Sequence, residues 1–360
     1  MYHKKYKLHC KTLSPVHIGS GEILSRWEYI LFNDQILKPN DKFWKHINKK
    51  YPERFNSLVA DINQSEDLSI SLGNNDFIST NIRGITLKKG DNKIDILKEE
   101  TIKQAFNLLS IKFTGDSEKI RNINLFSGSP NHFIPGSSIK GAIRTGVTVN
   151  HLNKCLSLVN NEYSGVEELQ NKEKEFAKVD SPISKNFQSI YVSDVVLNPA
   201  DMLINPVSYL KDDEDFQLYE TLSPEISFTI NITNTFYKYD RKNTDFCEVF
   251  QQTTDFYKTI WNKLKSIAKD PLDKFYSLKD SKVQNSEGLL RVGFGAGQLS
   301  NSILHFWKES GKSDVYLYNG NAKRLNKEKK VVFDPYPSTV KQTNTGLPLG
   351  WVLIEKIETC

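Results

Sequence analysis

The sequence predicts an α+β protein, with a sheet core drawn from both ends of the chain and helical insertions between. Three features point there. Tyr6–Leu13 and Glu225–Ile232 alternate apolar and polar residues with the period of two that a half-buried strand requires. Residues 133–144 read as an extended segment, a Pro-Gly turn, a serine cap and then a helix. Apolar residues recur at helical spacing over Asp41–Ile62, Ile94–Lys112 and Phe246–Ala268. A chain of 360 residues suffices for one large domain or two ordinary ones.

Taken in order, the first strand sets Tyr6, Leu8, Cys10 and Thr12 against Lys7, His9 and Lys11. It runs into Leu13-Ser14-Pro15-Val16-His17-Ile18-Gly19-Ser20-Gly21, whose glycines permit a sharp loop with backbone amides facing outward. Tyr29–Phe32 and Gln35–Leu37 flank Asn33-Asp34, a hairpin signal. In the first helical stretch, Pro52 interrupts the pattern or starts its second half. Ser65–Asn92 is polar and aperiodic, a connecting segment. Asn160–Lys185 is charged and poor in large apolar residues, so it is expected as a mobile helix or loop. Ile190–Leu197 is rich in β-branched residues. Leu289–Val292 leads into Gly293, Gly295 and Gly297 and then a helical pattern over Ile303, Leu304, Phe306 and Trp307. Gly346–Glu355 supplies a final strand. The expected boundaries are 1–40 with 113–155 for the first core segments and 41–112 for a mainly helical insertion. A flexible connection follows at 156–185, then 186–240 with 286–360 for the remaining core, and 241–285 for a second helical insertion.

Composition narrows the function. Forty-eight basic against 43 acidic residues leave a net charge of +5. So mild a bias means that any nucleic-acid contact must come from local arrangement. Cys10, Cys155, Cys247 and Cys360 are scattered, without a Cys-x-x-Cys pair or clustered histidines. Neither a zinc site nor a disulfide framework is expected, and no cofactor. The amino terminus lacks the apolar core of a signal peptide, and no run of about eighteen apolar residues occurs. A soluble protein of the cytoplasm is expected.

The helix at 136–151 carries the most chemistry. Ser137 or Ser138 can accept from its first free amides, and those amides with the dipole make a seat for phosphate. Ile139, Ala142, Ile143 and Val147 form an apolar back, while Lys140, Arg144, Thr148 and His151 form a polar stripe beside it. An ordinary capped amphipathic helix would show the same pattern. The three glycines after Val292 are not a dinucleotide fingerprint, because the third comes one place early. Nor are they a P-loop, since no Gly-Lys-Ser/Thr ends them, and a tight turn is the simpler alternative.

Pro135-Gly136-Ser137-Ser138-Ile139-Lys140-Gly141-Ala142-Ile143-Arg144 is very similar to the signature of the RAMP superfamily, the RNA-binding subunits of CRISPR complexes. The His17-Ile18-Gly19 loop, the Val192-Ser193-Asp194 segment, the 289–298 glycine loop and the Leu349-Gly350-Trp351 ending extend the resemblance across both ends of the chain. It implies a RAMP fold with a ferredoxin-like or RRM-like βαββαβ core, in one or two copies. The order of elements alone does not yield that topology. RNA contact is then expected from Ser137, Ser138, Lys140, Arg144, His17, Gly19, Ser20, Arg291, Gly293, Gly295 and Gly297. The insertions, the Trp27–Ile30 hairpin and the ending look most like the fifth Csm subunit of type III-A systems. That family caps the backbone filament at the 3′ side of the guide RNA (crRNA) and assists its maturation. The partners so implied are crRNA, target RNA nearby, the third Csm (backbone) subunit, the small Csm subunit, the large Cas10-type subunit, and host nucleases that trim the guide.

A RAMP endoribonuclease is the alternative. Some relatives cleave guide precursors with a histidine, and others cut target RNA with an aspartate after the first glycine loop. Here that region, 23–29, holds Glu28 and no aspartate. His132 has no identifiable partner, Asp194 is simpler as a structural acceptor, and His17 as a structural histidine at a strand end. No carboxylate pair or Ser-His-Asp order stands out. The expectation is a protein that is not an enzyme.

Overall fold

A computed structural model describes residues 2–25, 30–32, 35–39, 45, 48–49, 106–113, 122–158, 187–209, 212–236, 245–295 and 341–359. The strands begin with β1 (Tyr2–Thr12), β2 (Gly19–Leu24), β3 (Ile30–Phe32), β4 (Gln35–Pro39), β5 (Phe106–Phe113), β6 (Ile123–Phe126) and β7 (Phe133–Ile134). Helix α1 (Gly136–Leu158) precedes β8 (Ile190–Val192), β9 (Val195–Val196), β10 (Met202–Tyr209), β11 (Asp212–Leu222) and β12 (Ser227–Phe236). Then come α2 (Phe246–Ile267), α3 (Leu272–Gln284), β13 (Gly288–Arg291), β14 (Lys341–Thr343) and β15 (Trp351–Thr359).

Two sheets organise these elements. The first has the order β13-β15-β1-β12-β8, with every neighbouring pair antiparallel. The second runs β2-β6-β11-β10-β5-β4-β3, with β14 on β10, and its β10–β5 and β11–β6 pairs are parallel. The short β7 pairs with β9. Among the described residues, the first sheet is covered on one side. Tyr6, Leu8 and Cys10 of β1 and Ile230 and Ile232 of β12 are buried, while Lys5, Lys7, Thr229 and Asn231 of the same strands are exposed. That is the alternation read from the sequence, set by the pleat.

The covering layer is α1 and α2. Ile139, Ala142, Ile143 and Val147 of α1 are buried as expected, but they share the core with α2 as well as the sheet. Gly146 marks the crossing: a Cβ there would lie 2.8 Å from Thr253 Cα. Thr253 Oγ1 donates to Ile143 O (3.1 Å), and Tyr257 OH donates to Ala142 O (3.1 Å). The N-cap of α2 is Asp245, which accepts from Cys247 N (2.9 Å) and is held by Lys4 (2.7 Å) and Tyr6 OH (3.0 Å). The aromatic centre joins Trp261 edge-on to Trp351 (5.1 Å) and to Tyr276 (4.7 Å). Fully burying side chains of this size stabilises by about 1.5–3 kcal/mol each.

Several expectations change. Phe106–Phe113 is a strand, whereas the spacing through Lys112 suggested a helix. Pairing with β4 on one side and β10 on the other overrides the local pattern. The final strand starts at Trp351, because Gly346 (φ 76°) and Gly350 (φ 92°) place a turn where it was expected to begin. The helix expected over Phe246–Ala268 forms as Phe246–Ile267 and packs into the main core. β3 and β4 pair antiparallel, Ile30 with Leu37 and Phe32 with Gln35, as the hairpin signal implied. Ser65–Asn92, Asn160–Lys185 and the stretch around Ile303–Trp307 lie outside the described residues.

Candidate nucleic-acid interface

Segments far apart in sequence meet at one corner: 15–20, 217–222, 291–295, Lys341 and Leu349–Trp351. Strand β13, buried at all four positions, delivers the glycine loop there. Gly293 (φ 83°) and Gly295 (φ 81°) both lie in the left-handed region that side chains avoid. A Cβ on Gly293 would fall on the His17 carbonyl oxygen, and one on Gly295 would lie 2.6 Å from Leu349 Cδ1. The loop is seated by Phe294 N–H donating to His17 O (2.8 Å). The first glycine loop and the last therefore lie against each other. The close neighbours of the last loop are His17, Ile18, Leu349 and Lys341.

Phe294 is the exposed aromatic of this corner, at 43%. Its ring stacks on Tyr219 (5.1 Å between centroids, 24° between planes), and Lys341 Nζ lies 4.4 Å from its centroid. Lys341 is buried, donates to Tyr219 OH (3.2 Å) and sets a positive charge beneath the aromatic pair. His17 packs edge-on to both rings, 4.9 Å from Tyr219 and 6.0 Å from Phe294. Its Nδ1 is 2.7 Å from Glu220 O. A carbonyl only accepts, so Nδ1 carries the proton and Nε2 is left as an acceptor beside Gly19. Burial, with Lys341 nearby, pushes the imidazole below the usual histidine range, so it is neutral at pH 7.

Glu220 is the residue that sequence reasoning missed. It is fully buried; Oε2 accepts from Phe126 N (2.7 Å), and Oε1 lies 2.6 Å from His132 Nε2 and 3.4 Å from Ser129 Oγ. One side chain thus ties the turn 126–132 to the strand that holds His17. The signal was present in β11. Leu218, Glu220 and Leu222 share one parity, and a carboxylate on the apolar face of a strand needs buried partners. His132, expected to lack a partner, has this one and is 1% exposed.

The other predicted residues fall as follows. Gly19 and Ser20 are exposed at the start of β2, beside the corner. Gly297 and Glu28 lie outside the described residues. Arg291, expected to offer charge to RNA, is buried: its guanidinium stacks on Trp351 (4.9 Å) and donates to Leu349 O (3.1 Å) and Gly295 O (3.5 Å). Burial pulls its pKa down, and its role in this geometry is to brace the loop from below.

The start of α1 also differs from expectation. The helix begins at Gly136, so Ser137 and Ser138 sit in its first turn instead of capping it. The cap comes from Asp194, whose Oδ1 accepts from Gly136 N (2.7 Å), placing a carboxylate where phosphate was expected. Ser137 is exposed. Lys140 is half-buried, donates to Ile190 O (2.6 Å), and has its pKa lowered by burial and by Arg144. Arg144 is partly exposed. Among the described residues no group of three His, Cys, Asp or Glu side chains could hold a metal ion, and no helix is long and apolar enough to cross a membrane.

Residues 9–347 match the RAMP superfamily profile. The chain belongs to the RAMP superfamily. Among RAMP relatives, the CRISPR system Cms protein Csm5 of Streptococcus thermophilus is 31% identical over 155 residues, covering 40% of this chain and 38% of that protein. The protein of the same name from Methanocaldococcus jannaschii is 23% identical over 97% of this chain and 88% of its own length. That of Enterococcus italicus is 28% identical over 40% of this chain and 43% of its own. A chain in a solved Csm–crRNA–target RNA ternary complex of a type III-A CRISPR-Cas system shares the fold (TM-score 0.66, 18% identity, 97% of this chain and 100% of that one). So does a T. onnurineus Csm5 crystal structure (TM-score 0.54, 16% identity, 96% and 100%).

Proposed function

We propose that this RAMP protein is a non-catalytic guide-RNA-binding subunit of a type III-A Csm effector complex. In this reading it caps the backbone filament at the 3′ side of the crRNA and assists crRNA maturation. The observation that carries it is the corner where residues 17–20 meet 293–295. An exposed aromatic, a buried cation beneath it, and glycine backbone free of side chains form a surface suited to a sugar–phosphate chain with one stacked base. Exposed Ser137 and partly exposed Arg144 on α1 are assigned separate contacts with the guide, and buried Arg291 braces the loop from within. The order β15-β1-β12-β8, with α1 and α2 on one side, supports a ferredoxin-like module in the first sheet.

The resemblance to Csm5 proteins supports the partners: crRNA with target RNA nearby, the backbone and small Csm subunits, the large Cas10-type subunit, and trimming nucleases of the host. A nuclease centred on His132 is disfavoured, since His132 and Glu220 are both buried. The test is reconstitution of the complex with and without this chain, followed by sizing of the bound guide. With the chain present, guides should have uniform, matured 3′ ends and filaments a fixed length. Indistinguishable guides and filaments in its absence would overturn the proposal.

A further inference from the structure

We infer a second binding site for single-stranded RNA, separate from the glycine-loop corner, on the face of the first sheet opposite α1 and α2. The polar positions of β1 point there together: His3, Lys5, Lys7, His9 and Lys11, which repeat every second residue, about 6.8 Å apart. Their cross-strand neighbours on β12 are small and polar: Lys5 faces Thr233, Lys7 faces Asn231, and His9 faces Thr229. One strand further out, Thr233 faces Tyr191, whose side chain is 67% exposed. A row across three strands therefore reads Lys5, Thr233, Tyr191: a cation, a hydroxyl and an aromatic on one flat surface.

Charge is distributed unevenly along this face. At one end Lys11 pairs with Glu225 (2.9 Å), while midway along β1 Lys7 faces Glu358 on β15, a carboxylate already engaged by Lys356 (2.6 Å) and His9 (3.2 Å). At the other end β15 stops opposite Tyr6, so Lys5 lies beyond its last paired residue. Neither Lys5 nor Lys7 has an ion-pair partner among the described residues, and both are exposed. Lys5, which faces Thr233, and Lys7, whose facing carboxylate Glu358 is held by Lys356 and His9, stand at strand spacing beside hydroxyl and amide groups and an exposed tyrosine, an arrangement that suits the phosphates and one base of an extended strand. An acidic protein segment would use the cations but not the aromatic.

The experiment is fluorescence anisotropy of a short labelled oligouridine against the full chain over a salt series. Lys5→Glu/Lys7→Glu should weaken binding roughly tenfold and reduce the salt slope by about 1.4, two single-strand phosphate contacts. Melting should be unchanged, since both side chains are exposed. Tyr191→Ala should weaken binding and Tyr191→Phe restore it, a pattern that lost charge alone does not give. In a Phe294→Ala background the Lys5/Lys7-dependent part of the slope should persist, however the loop behaves. Unchanged affinity and slope in the double variant would overturn the inference. So would competition by polyglutamate as effective as competition by RNA.

Discussion

At the scale of single residues, stability at the loop corner rests on two buried polar groups. Glu220→Ala removes the acceptor of Phe126 N–H and the partner of His132, leaving both buried without replacement. The expected cost is about 3 kcal/mol, read from the urea midpoint. A midpoint within error of wild type would show that water replaces the carboxylate. His17 gives a pH signature. Its folded-state pKa lies below the unfolded value of about 6.5, so its contribution is complete above that pH. As pH falls from there through the lowered value, the unfolded chain takes up a proton that the folded chain refuses, and stability drops. A His17→Gln variant should lack this component when melting is followed between neutral and mildly acid pH. Parallel profiles for the two proteins would contradict it.

At the scale of elements, the glycine loop is the part whose conformation only glycine fits. Gly295→Val puts a branched side chain at φ 81° against Leu349, where backbone strain of about 1–3 kcal/mol is expected. The core lies mostly elsewhere, so guide RNA co-purification should fall several-fold while the melting temperature drops by a few degrees. Guide retention equal to wild type would reduce the loop to an ordinary turn. Much at this scale was legible beforehand. The strand alternation of β1 and β12, the apolar face of α1, the helix α2 and the glycine loop all follow from local periodicity and turn chemistry. What was not legible was set by partners distant in the chain. β5 is a strand because β4 and β10 flank it. Arg291 is internal because Trp351 and Leu349 receive it. Lys140 is partly committed to Ile190 O, and the helix cap is Asp194, fifty-eight residues away from Gly136.

At the scale of the whole molecule, the two sheets have different tasks. The first packs α1 and α2 on one face and, among the described residues, presents polar side chains on the other. The second supplies β11, whose residues 219 and 220 floor the corner where the two ends of the chain meet. That meeting explains why the motifs near residues 17 and 293 lie side by side despite their separation in the chain. The proposed RNA path depends on Phe294 being the exposed member of the corner. The most direct test is photo-crosslinking in an assembled complex whose guide carries 4-thiouridine at successive 3′ positions, with attachment sites mapped by mass spectrometry. Attachment at Phe294 or within residues 17–20, from a narrow range of guide positions, is the predicted result. Efficient crosslinking to the other subunits with no attachment in 17–20 or 293–295 would contradict it.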